Sequence, residues 1–147
     1  MNRKITITVI SLIVIVAGIL FIQDRMKNTN YEEAVSNMLS EGEQVNKIEI
    51  LWRTRDDNQV YVQRTAIITD ENTINRILEE PSDMKLKKQN RTPGTEYSLT
   101  FYTDSKVDGI VFGEGDIQIG DGFFKIADDN LLEKVIKNEE LEWEIKN

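Results

Sequence analysis

An unbroken apolar run opens the chain, from Ile5 to Ile22, 18 residues without a charge. As a helix rising about 1.5 Å per residue it would reach roughly 27 Å, close to the hydrocarbon thickness of a bilayer. Thr6, Thr8 and Ser11 fall within it, but their hydroxyls can bond back to helix carbonyls. The run predicts a transmembrane helix over residues 1–26, of the signal-anchor type, because Arg3 and Lys4 precede it as a short basic region. That arrangement puts the following domain outside the cytoplasm. Val16-Ala17-Gly18 would suit a signal peptidase and would begin a lipobox, yet Ile19 stands where the lipid-bearing cysteine must be. The apolar character then continues through Leu20-Phe21-Ile22, which favours a retained helix over a cleaved one.

Beyond the run the hydrophobic positions become periodic. Residues 27–44 read as a juxtamembrane linker with a short helix, Tyr31 to Leu39, free either to continue the membrane helix or to pack on the domain. From about Val45 to the end the pattern is that of one soluble α+β domain. Ile48, Ile50 and Trp52 alternate as a strand, Arg55-Asp56-Asp57-Asn58 turns the chain, and Val60, Val62 and Ala66 return it as a hairpin. Asp70 caps a helix carrying Ile74, Ile77 and Leu78 on one face, and Pro81 stops it. Short strands follow at Met84 to Lys88, at Tyr97, Leu99 and Phe101, and at Val107 to Phe112. Two more, Ile117 to Ile119 and Phe123 to Ile126, are punctuated by Gly113, Gly115, Gly120 and Gly122. A second helix runs from Asp128 to Lys137, and Leu141, Trp143 and Ile145 alternate as a closing strand. The helix starts at Asp70 and Asp128 echo each other at an offset of 58, which either helix-capping preferences or an ancient duplication would explain. The expected class is α+β: a transmembrane helix, then a mainly antiparallel sheet with two helices packed on it.

Composition narrows the chemistry. All 26 acids, but only 16 of the 18 Lys and Arg residues, follow Ile22 (Arg3 and Lys4 are the exceptions), leaving that part at −10. Such a surface repels nucleic acid. Neither histidine nor cysteine occurs, which removes thiol chemistry, His-based triads, HExxH zinc sites and disulfides. Carboxylate, lysine, tyrosine and serine remain.

Four groups of residues carry the remaining possibilities. Glu114, Asp116 and Asp121, spaced by glycines, offer oxygen ligands that calcium could use, although no EF-hand spacing can be aligned and Gly120-Asp121-Gly122 reads as a hairpin turn. No other cofactor is expected. Lys85, Lys87, Lys88 and Arg91 form a basic cluster suited to an anionic partner, or to guarding an edge strand. Paired acids at Asp56-Asp57, Asp128-Asp129 and Glu139-Glu140 could run glycoside chemistry but sit at turns and helix ends. Tyr31, Tyr61, Tyr97, Tyr102, Trp52 and Trp143 could line a groove or fill the core.

Two stretches carry a resemblance. Ile67-Ile68-Thr69-Asp70-Glu71 leads into the first amphipathic helix. Gly115-Asp116-Ile117-Gln118-Ile119-Gly120-Asp121 is followed by Phe124 and a second Asp-Asn helix start. With them the chain resembles the small membrane-anchored or lipoprotein-type extracytoplasmic domains of Bacillus-like Gram-positive bacteria, differing from the lipoproteins in lacking the lipobox cysteine. The resemblance brings no catalytic residues. The expected function is a tethered extracytoplasmic binding, sensing or protein-interaction domain without catalysis, its partner a protein or a cell-wall polymer. The alternatives are a carboxylate-dependent cell-wall enzyme and a structural subunit of a membrane complex.

Overall fold

The computed structural model describes residues 3–146, with side chains described for all of these except 3–9, 23–26 and 146. Among the described residues the chain forms four helices and nine strands. Helix α1 spans Arg3–Lys27 and passes directly into β1, Asn28–Asn30; α2 is Tyr31–Met38. Then come β2 Lys47–Arg55, β3 Tyr61–Ile68, α3 Glu71–Glu79, β4 Lys85–Lys88 and β5 Tyr97–Tyr102. The remainder is β6 Val107–Gly113, β7 Asp116–Ile119, β8 Gly122–Ile126, α4 Leu131–Asn138 and β9 Glu144–Lys146. All strands join one antiparallel sheet in the order β1-β4-β8-β7-β6-β5-β2-β3-β9.

One face of that sheet is the core. Register sets Ile48 against Ile68 and Phe101, Leu99 against Ile110, and Ile110 against Ile119. The next row joins Tyr97 to Phe112, Phe112 to Ile117, and Ile117 to Phe124. Alternation makes this possible, since a period of two sends every second side chain to the same side. Helices α2, α3 and α4 cover this face with Tyr31, Val35, Ile74, Ile77, Leu132 and Val135. The strands next to each end of the sheet bury their core side chains, Leu86 in β4 and Ile68 in β3.

The two crossovers mirror each other. Helix α3 carries the chain from β3 to β4, and α4 carries it back across the same number of strands from β8 to β9. The buried positions repeat at 58, with Ile74 and Ile77 matching Leu132 and Val135. The caps do not. Asp70 accepts from the Thr73 amide, but α4 is capped by Asn130 on the Glu133 amide, so its start lies after Asp128 and Asp129. Three cap residues stand in a row there; the one that turns Leu132, Val135 and Ile136 inward is used.

The segment 27–44 is where the expectation changes most. The expected short helix is present as α2, and a strand, β1, stands before it where a linker was expected. Asn28, Thr29 and Asn30 pair with Lys87, Leu86 and Lys85. Asn30 then caps α2 by accepting from the Glu33 amide at 2.8 Å. Tyr31 is fully buried, and its hydroxyl donates to the Ile77 carbonyl at 3.2 Å. Of the two placements open to α2, packing on the domain is the one adopted. Three helices, not two, thus cover the sheet.

Helix α1 stands apart. Its large apolar side chains from Ile10 to Ile22 are half exposed or more, and its main contact with the domain is β1. Among the described residues no helix is long and apolar enough to cross a membrane. The described apolar side chains of α1 begin at Ile10, so residues 5–9 of the expected span lie outside them.

Candidate functional site

One concavity runs beside α2. A groove of about 360 Å³ lies between α2 and the β7–β8 turn, lined by Asn37, Met38, Lys106, Asp108, Asp121 and Phe124 among others. It continues past Ala34, Asn37 and Phe124 into a smaller cleft of about 190 Å³ that reaches Lys27 and Lys88. The turn is tight because Gly120 takes φ +54° between the paired residues Ile119 and Gly122, a conformation other residues rarely adopt.

Lys106 closes one end of the groove. Its ammonium donates to the Met38 carbonyl at 2.7 Å and pairs with Asp108 at 2.9 Å and Glu43 at 3.4 Å. Glu43 also accepts from the Ser105 hydroxyl. Asp108, then Glu43, hold the lysine above its usual range against the opposing effect of burial. A lysine so held stays charged and latches the C-terminal end of α2 to the β5–β6 turn. Sequence reasoning missed this residue. Only Asp108 is near it in sequence; Met38 and Glu43 lie more than 60 residues away, and the turn Asp104-Ser105-Lys106 looks like any other.

The predicted ligand set is not brought together. Glu114 and Gly115 form the two-residue β6–β7 turn, both with positive φ, as a type I′ hairpin requires. Asp116 starts β7 and Asp121 follows its end, roughly 10 Å or more apart along the strand. Asp116 already accepts from Gln89 at 3.0 Å and pairs with Arg91 at 3.5 Å. Among the described residues no three acids converge as a metal site would need.

The basic cluster is divided. Lys85 and Lys87 occupy the face of β4 opposite the buried Leu86, Lys88 reaches the cleft by α2, and Arg91 is tied to Asp116. Strand β4 is not an edge, since β1 lies outside it, so these lysines do not guard an open strand.

Aromatic residues go mainly to packing. Trp52 stacks on Tyr97 at 5.8 Å and meets Trp143 at 5.5 Å, and Tyr97 stacks on Phe112 at 4.8 Å. Burial, then the nearby Glu133 and Glu96, push the Tyr97 hydroxyl well above its usual range. Tyr102 donates to Glu49 at 3.1 Å, and Tyr61 is exposed beside Arg55.

The paired acids serve structure as well. Asp56 accepts from the amides of Asn58 and Val60, and Asp129 pairs with Lys134 at 2.6 Å. Glu139, past the end of α4, takes a bidentate grip from Arg76 of α3 at 2.6 and 2.8 Å. Hydrogen bonding from Arg76 holds the Glu139 carboxyl below the usual range. Such a group adds stability that is fully present above the ordinary glutamate range and is lost as pH falls through its lowered folded value. Replacing Glu139 by Gln is thus expected to lower stability at neutral pH and to flatten the acid limb of a pH–stability curve. Parallel curves for the two proteins would contradict this.

No protein-family model matches the chain, and neither the curated proteins nor the solved structures give a significant match.

Proposed function

We propose that the chain is a membrane-tethered, non-catalytic binding or sensing module. In this reading residues 5–22 of α1 cross the bilayer, and the α+β domain offers the groove beside α2 to a protein or cell-wall polymer on the extracytoplasmic side. The state of α1 carries the reading. Its apolar side chains from Ile10 to Ile22 point all round the helix and are half exposed or more. A helix apolar on every side is stable only when something apolar surrounds it. A bilayer does so without needing a matching second surface, and in sequence the run extends to the 18 uncharged residues a span requires.

Two further observations support binding over catalysis. Histidine and cysteine are absent. Among the described acids whose ionisation is clearly shifted, Glu43, Asp70, Asp129 and Glu139 are all held below the usual range. A carboxyl acting as general acid needs the opposite shift.

The test is capture from membrane and wall fractions by the full chain, set against a variant with the groove blocked at the exposed Asn37 and at Asp121 (N37R/D121R). A partner retained by the first and lost by the folded second is the expected result. Equal retention by both, or release of wall fragments by the protein itself, would contradict the reading. A reporter active on one side of the membrane only, fused after Asn147, is expected to work outside; activity inside would overturn the orientation.

A further inference from the structure

Where α1 passes into the sheet, two cations are set side by side. Asn28 pairs with Lys87, so Lys27, one residue earlier, comes abreast of Lys88, one residue later. Both line the small cleft beside α2, with Thr29, Asn37 and Phe124. Neither lysine has an ion-pair partner among the described residues; Lys87, which does have a contact of its own, is not counted with them. Glu33 shares the cleft, but its carboxylate accepts from the Thr29 hydroxyl at 2.6 Å and joins neither lysine in an ion pair. Like charges lining one cleft repel, and an anion between them removes the repulsion.

The place of this pair along α1 points to the anion. The apolar run ends at Ile22 and the helix continues to Lys27. Those five residues rise about 7.5 Å, and the headgroup layer on one side of a bilayer is roughly 5–8 Å deep. With α1 spanning the membrane, Lys27 and Lys88 stand at headgroup level. We propose that they clamp the phosphate of an anionic lipid headgroup in the cleft, Thr29 and Asn37 lining it, and so seat the domain against the bilayer. The proposal rests on the tether described above. Its cleft of about 190 Å³ suits a headgroup and not a whole lipid.

The chain has no cysteine, so Asn90→Cys, just beyond β4, gives the full chain one fluorophore. The protein is placed in nanodiscs of phosphatidylcholine, alone or with phosphatidylglycerol, and quenching by spin-labelled headgroups is read. Quenching is expected to be roughly threefold stronger in the anionic discs. Lys88→Glu should abolish that gain without changing thermal unfolding, whereas Lys85→Glu, the same charge change on the opposite face of β4, should leave it. Equal quenching in both discs, or equal loss in both variants, would overturn the site and leave the tether standing. Failure to enter either disc would overturn both. In a last arm, glycerol phosphate is added to the neutral discs and the Lys88 amide shift is followed. No shift is expected; a shift matching that of phosphatidylglycerol at equal concentration would overturn the lipid assignment.

Discussion

Replacing Phe101 by alanine is expected to cost about 3–5 kcal/mol, the usual loss for a large aromatic ring removed from a packed core. Phe101 is fully buried on β5, where it pairs with Ile48 of β2 and Asp108 of β6 near the middle of the sheet. Little can move in to fill the space, because the same row holds Ile68 beyond Ile48 and strands fix each side chain's position. A domain of this size is stable by roughly 5–15 kcal/mol, so the variant should melt roughly 10–25 °C lower. Urea unfolding should show a lower midpoint at an unchanged slope. Tyr61→Ala, at a site 74% exposed, provides the comparison and should stay within about 0.5 kcal/mol of the parent. A Phe101→Ala protein within about 1 kcal/mol of the parent would mean that the core is not packed as described.

The second large effect concerns where the folded unit begins. A chain starting at Asn28 keeps every buried residue of the core and should unfold as the full chain's domain does. One starting at Glu41 loses β1 and α2, and with them Tyr31, Ala34, Val35 and Met38, all buried. Burial of a large apolar side chain contributes about 1.5–3 kcal/mol, so losing three such residues removes most of an ordinary domain's stability. Their departure also removes the Tyr31 hydrogen bonds to the Ile77 and Met84 carbonyls. The chain from Glu41 should therefore be unfolded or molten, with weak near-ultraviolet dichroism. If it were as stable as the chain from Asn28, α2 would be an appendage and the groove beside it no part of the fold.

That second contrast also marks what the residues reveal in order and what they do not. The strands from β2 to β8 are legible because apolar side chains alternate between turns of recognisable chemistry: Asp56-Asp57-Asn58, Glu114-Gly115 and Gly120-Asp121. Helices α3 and α4 are legible from apolar spacing and capping residues. Strand β1 is not, since Asn28-Thr29-Asn30 has no apolar alternation and owes its pairing to β4, more than fifty residues on. Nor is the strand order, in which β2, β5, β6, β7 and β8 stand between β3 and β4, which follow one another in the chain. Lys106 and the Lys27–Lys88 pair escape for the same reason. Each is defined by partners that only the folded topology brings near, and the basic residues at 85–91, read as one cluster, are sent to different faces.

Membrane tethering by α1 is the central claim, and partition into lipid tests it most directly. The full chain and the chain beginning at Asn28 would be expressed in cells, and their membranes washed in alkaline carbonate and sedimented. With α1 as a tether, the full chain is expected in the pellet, released only by detergent, and the shorter chain folded in the supernatant. Recovery of the full chain as a soluble folded protein after the wash would contradict it.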